Sequence, residues 1–155
     1  MRNTLAVYFS VAAAAFLIAT TGSDTYARIT IGGQQLGPAL SEHFYWAGVQ
    51  FMGTIPLLLP FGFMAAIGSW AEDNTNRRKG LVIFGLPTIY LIYAYFEGYR
   101  ASKAAELEKL WTAATLDVGF LPFAAVPVVL LAWLIAYVAV RAERKSRKTL
   151  SAEKG

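Results

Sequence analysis

A chain of 155 residues has room for one compact domain, and at 56% hydrophobic against 15% charged residues this one is too apolar to be water-soluble. It has no cysteine, which excludes disulfide frameworks, thiolate metal sites and cysteine nucleophiles, and its one histidine, His43, excludes a bis-histidine haem. The net charge of +4 comes from basic residues that flank apolar runs, which points to orientation in a membrane and away from nucleic acid.

A bilayer core of about 30 Å takes roughly 20 helical residues. Thr4 to Gly22, Phe44 to Ala71, Gly80 to Phe96 and Val118 to Val140 contain no Asp, Glu, Lys, Arg or His, and none carries the polar stripe of a water-facing helix. The sequence therefore predicts an all-α integral membrane protein: a single domain over 1–155 with spans at about 4–22, 44–71, 80–98 and 118–140. Residues 141–155 form a basic cytoplasmic tail.

The first span also has the features of a secretory signal, with Arg2 before an apolar core and the small residues Ala19, Thr20, Thr21 and Gly22 after it. The expectation is a retained signal-anchor helix. Along this span Ala6, Ser10 and Ala14 recur every four residues and form a ridge of small side chains. Small residues let helix backbones approach closely, which is a main source of attraction between helices in lipid. The fourth span carries a similar ridge at Ala124, Val128, Ala132 and Ala136. Packing inside the monomer is the preferred reading of both ridges, with packing against a partner as the alternative.

In the first outer loop, Ser23 to His43, the alternation Tyr26-Ala-Arg-Ile-Thr-Ile followed by Gly32-Gly33 predicts a short extracytoplasmic β-hairpin. Ser41 and Glu42 read as the amino-terminal cap of the second span. The inner loop from Glu72 to Lys79 is short enough to make spans two and three antiparallel neighbours. In the second outer loop, Leu107, Leu110, Trp111 and Ala114 at three- and four-residue spacing predict an amphipathic helix, with Asp117 capping span four. Pro56, Pro60, Pro87, Pro122 and Pro127 lie within spans and predict bends or irregular starts.

With the amino terminus inside, ten basic residues face the cytoplasm against Arg28, Arg100, Lys103 and Lys109 outside. That asymmetry places both termini in the cytoplasm, in a bacterial inner membrane. Trp46, Trp70 and Trp111 fall near the predicted interfaces.

No ionisable residue falls in the middle of a predicted span. The polar groups nearest to a site are Glu42, His43, Gln50, Glu97, Arg100 and Asp117, an outer cluster that could form a vestibule. His43 and Glu42 are expected to be exposed and replaceable by Gln without consequence. The layout lacks the first-span carboxylate of small multidrug exporters, and the cysteine pairs of disulfide-generating and claudin-like proteins. No cofactor and no metal are expected.

The functional expectation is a non-catalytic protein that works by association within the membrane. It would be an accessory subunit of a membrane complex or an immunity-type inhibitor, with the lipid bilayer and a second membrane protein as its partners. The alternatives are a small permease or channel acting as a homo-oligomer, with its path along the proline-bent spans two and three, and a membrane-embedded enzyme using the outer polar cluster.

Overall fold

A computed structural model describes residues 4–152, and among them every regular element is helical. The elements are α1 (Thr4–Leu17), a π-helical turn (Ile18–Gly22), α2 (Ser23–Thr30), α3 (Leu36–Val49), α4 (Phe51–Asn74), α5 (Arg77–Leu107), α6 (Trp111–Gly119) and α7 (Leu121–Ala152). Four helical stretches are long and apolar enough to cross a membrane: Thr4–Thr30, Phe51–Asn74, Arg77–Leu107 and Trp111–Arg147. Arg2 and Lys154 lie outside the described residues.

Helix α4 is the centre of the bundle and packs along α1, α5 and α7. The core is aromatic and small by turns. Phe61 and Met64 of α4 meet Leu91 and Tyr95 of α5, all fully buried, with Phe61 and Tyr95 edge to face at 5.3 Å. Ala125, Ala132 and Ala136 bring α7 close on the other side. Tyr95 donates to the Leu57 carbonyl at 2.8 Å, in the turn of α4 between Pro56 and Pro60. The helices run through Pro56, Pro60, Pro87 and Pro127 without interruption, and Pro122 stands in the first turn of α7, where no intrahelical donor is required. Across the bundle, Tyr8 enters a slot made by two glycines. A Cβ on Gly68 would stand 2.7 Å from Tyr8 Cε1, and one on Gly80 would stand 2.8 Å from the Tyr8 hydroxyl. That hydroxyl donates to Glu72 at 2.8 Å.

The turn between α4 and α5 is tight. Asn76 accepts from the Lys79 amide at 3.0 Å and caps α5, so spans two and three are antiparallel neighbours. The Lys79–Glu143 pair, at 2.8 Å, ties α7 to the same end, and Arg144 donates to Asn74 at 2.9 Å. This is the basic end of the molecule; α2, α3 and α6 cap the other.

The capped end departs from the sequence expectations. The predicted β-hairpin is absent: its first half is α2, its second half begins α3, and only residues 31–35 are loop. The alternation at Ile29-Thr-Ile31 is overridden because α2 buries Ser23, Asp24, Ala27 and Arg28 at three- and four-residue intervals. A two-stranded hairpin would offer no such buried face, and alone it is marginally stable. The glycines still serve as turn formers. Gly33 has φ 67°, and a Cβ on Gly32 would meet the Arg28 carbonyl at 2.7 Å. The first span continues as helix to Thr30 rather than ending at Gly22, while the second begins at Phe51. Residues 44–49 belong instead to α3, which is separated from α4 at Gln50. Ser41 and Glu42 therefore lie inside a helix and cap nothing. The predicted amphipathic helix is split at residues 108–110, where Lys109 has φ 61°, so Leu107 ends α5 while Trp111 starts α6. Ser102 then donates to the Ala114 carbonyl at 2.8 Å and folds α6 back onto α5. Asp117 lies within α6 and does not cap span four.

Candidate functional site

The largest concentration of buried charge lies where α2 and α3 meet. Asp24 and Arg28, four residues apart on α2, share one face and form an ion pair at 2.8 Å between Nε and Oδ2. Arg28 Nη1 also stands against Glu42 Oε1 of α3 as an ion pair. His43, the next residue, reaches back to α2 and to the turn before it: Nδ1 lies 2.8 Å from Asp24 Oδ2, and Nε2 lies 3.0 Å from Thr21 Oγ1. Gln34, from the loop, donates to Glu42 Oε2 at 2.7 Å. Asp24, Arg28 and His43 are each under 9% exposed.

Each neighbour imposes a condition on the next. Asp24 accepts from the guanidinium and from His43, so both of its contacts favour the carboxylate. With Nδ1 donating to Asp24, Nε2 of a neutral imidazole accepts from the Thr21 hydroxyl. The result is a hydroxyl–imidazole–carboxylate relay, held from behind by an arginine. Thr21 stands on the π-helical turn, a rare geometry that recurs at functional sites. Outside the spans, Glu42 is held below the usual carboxylate range, first by the Gln34 amide and also by Arg28 and Lys103, against the opposing effect of burial.

Of the predicted outer cluster, the structure joins Glu42 and His43 and leaves the others apart. Gln50 is exposed at the break before α4. Glu97 and Arg100 pair with each other at 3.2 Å on the surface of α5. Asp117 is half-buried in α6. The expectation that His43 is exposed is incorrect, because the ring is buried between α2 and α3; Glu42 keeps a partly exposed side chain while pairing with Arg28 and Gln34. The network's missing members, Thr21, Asp24, Arg28 and Gln34, were divided in sequence between the end of a span and an assumed hairpin. The i,i+4 spacing of Asp24 and Arg28 was the available signal for a helix there. Among the described residues, no three potential metal-ligating side chains of the His, Cys, Asp and Glu types come together.

The two ridges of small residues lie differently. On α7, Ala132 and Ala136 are buried in the bundle, Val128 is half-buried and Ala124 is exposed. On α1, the bundle takes Tyr8, Ala12 and Ala15, whereas Ala6, Ser10 and Ala14 are all exposed on the opposite side. The Ser10 hydroxyl is satisfied by the Ala6 carbonyl at 2.9 Å, so this face presents no unpaired polar group to lipid.

No family model matches the chain, and neither a curated protein nor a solved structure is similar to it.

Proposed function

We propose that this is a non-catalytic membrane protein acting by association with a second membrane protein, as an accessory subunit or an immunity-type inhibitor in a bacterial inner membrane. The observation that carries the reading is the two-sided character of α1. One small-residue face, Ala12 and Ala15, is used inside the molecule, while Ala6, Ser10 and Ala14 on the far side remain uncovered. A helix facing only lipid has no need of small residues, whereas a helix receiving another backbone does.

The test is recovery of a co-purifying membrane protein in mild detergent, measured alongside membrane abundance. Ala14→Leu and Ser10→Leu should abolish recovery and leave abundance unchanged, because the added atoms point away from the bundle. Ala12→Leu, inside it, should lower abundance through overpacking, typically about 1–3 kcal/mol. If both outward variants recover a partner as well as the parent does, the association reading fails.

A second reading, a membrane-embedded acyl-transfer enzyme, draws support from the relay. In this reading Thr21 would serve as nucleophile, His43 as its base and Asp24 as the group orienting the imidazole, on the strength of the 3.0 and 2.8 Å contacts. It calls for covalent labelling of Thr21 by a fluorophosphonate that disappears in His43→Gln. An unlabelled Thr21 in the folded protein removes it.

A further inference from the structure

At the basic end, α4 and α7 leave a cleft of about 360 Å³ between them, lined by Trp70, Tyr137, Val140, Arg141 and Arg144. Its composition changes along its length. Tyr137, Arg141 and Arg144 stand at i, i+4 and i+7, which sets them on one flank of α7. Tyr137 is backed by Trp133, whose ring stacks on it at 5.8 Å. Val140, nearly fully buried, lies beside them, and Trp70 contributes from α4. The flank thus passes from aromatic and apolar side chains to two exposed guanidinium groups where the uncharged run of α7 ends at Val140.

The neighbouring charges do not neutralise these two. Glu143 is engaged by Lys79 at 2.8 Å and by Arg147 at 3.8 Å. Arg144 spends one nitrogen, Nη2, on the neutral Asn74 side chain, and Arg141 has no ion-pair partner among the described residues. Guanidinium groups match phosphate oxygens with two parallel donors, and basic clefts between membrane helices accept anionic headgroups. An apolar, aromatic-lined groove opening onto two arginines at the end of an uncharged helical run has the polarity of a phospholipid. We infer that this cleft is a binding site for one anionic glycerophospholipid, with its phosphate between Arg141 and Arg144 and an acyl chain along Tyr137 and Trp133. The inference is independent of the association reading and of which way the protein faces.

Native mass spectrometry of the full chain, with added phosphatidylglycerol or phosphatidylcholine of identical acyl chains, tests the site. One phosphatidylglycerol should be retained per protein under conditions that strip phosphatidylcholine. Arg141→Gln, which breaks no internal bond, should weaken retention about fivefold, and Arg141→Gln with Arg144→Gln roughly thirtyfold, as expected for one and two lost contacts to an anionic lipid. Arg78→Gln with Lys145→Gln removes the same charge from the same end but outside the cleft, and should leave retention unchanged. Equal retention of the two lipids, or an equal loss in the control pair, would overturn the site in favour of diffuse attraction to a basic tail. Displacement of the lipid by millimolar inorganic phosphate would identify a free-anion site instead and equally overturn the inference.

Discussion

His43 has contacts to two elements and a ring that can bond through both nitrogens, so its replacement reports on how α3 is held. Glutamine can reach one of those partners but not both in the same geometry. His43→Gln should therefore weaken the docking of α3 by about 1–3 kcal/mol, the usual cost of leaving a buried polar partner unmet. The readout is faster hydrogen exchange across α3, with α4 and α5 unchanged. Arg28→Ala is expected to be more severe, about 3–5 kcal/mol, because it removes the cation paired with the buried Asp24 carboxylate and leaves only the His43 contact. Glu42 supplies a pH dependence whose sign follows from its depressed pKa. A carboxyl that is more acidic when folded adds stability above its unfolded value, near 4.3. That increment is lost as pH falls through the lower folded value, when the contacts to Gln34 and Arg28 lose their charge. Acidification should thus loosen α3 in the parent protein, and Glu42→Gln should remove this part of the response. An identical acid response in Glu42→Gln would show that Glu42 does not contribute to it.

At the scale of elements, the legible parts of the fold were those set by solvent. Runs of apolar residues about as long as a bilayer is thick marked out four helices long and apolar enough to cross a membrane and the tight turn joining α4 to α5, because a helix satisfies its backbone within its own segment. Span ends were harder to read, because polarity does not stop a helix. Ser23 to Thr30 continues α1 through the π turn even though it contains Asp24 and Arg28, whose charges are met by each other and by α3. The His43 contacts join residues 19 and 22 positions apart and have no local signature; the i,i+4 spacing of Asp24 and Arg28 was the one local sign of α2. The ridges were visible as spacing, yet spacing alone does not say which side of a helix meets its own bundle. Tyr8 decided that for α1 by fitting the slot at Gly68 and Gly80. Gly68→Ala tests this account: its Cβ would lie 2.6 Å from Phe84 Cβ and 2.7 Å from Tyr8 Cε1. A loss of about 1–3 kcal/mol is expected from such overpacking. Gly85→Ala, where nothing lies within 4 Å, should instead be neutral or slightly stabilising. Equal effects in thermal unfolding would mean that Tyr8 is not what seats α1 against α4 and α5.

For the whole molecule, the fold separates the two ends by chemistry, and this bears on how it sits in the membrane. One end gathers the α4–α5 turn with Arg77, Arg78 and Lys79, and the last turns of α7 with Arg141, Arg144, Lys145 and Arg147. Lys79, Glu143, Arg144 and Asn74 tie those elements together there. The opposite end has Arg28, Arg100, Lys103 and Lys109, of which Arg28 is consumed by Asp24 and Glu42, Arg100 pairs with Glu97, and Lys103 donates to Glu106 at 2.6 Å. Lys79 and Arg147 are likewise paired with Glu143 at the basic end, so the asymmetry rests on the count of Lys and Arg near the helix ends. Since short basic segments resist translocation, the basic end is expected in the cytoplasm. A reporter inserted at Thr75-Asn76 or fused after Gly155 should be active only in the cytoplasm, and one inserted at Gly33, in the loop between α2 and α3, only outside it. Replacing Arg77, Arg78 and Lys79 by Gln should leave this orientation in place, because the α7 cluster retains the bias. Removing both clusters should give mixed orientations. A single population with Gly33 in the cytoplasm would reverse the assignment and carry the α2–α3 network to the inner face.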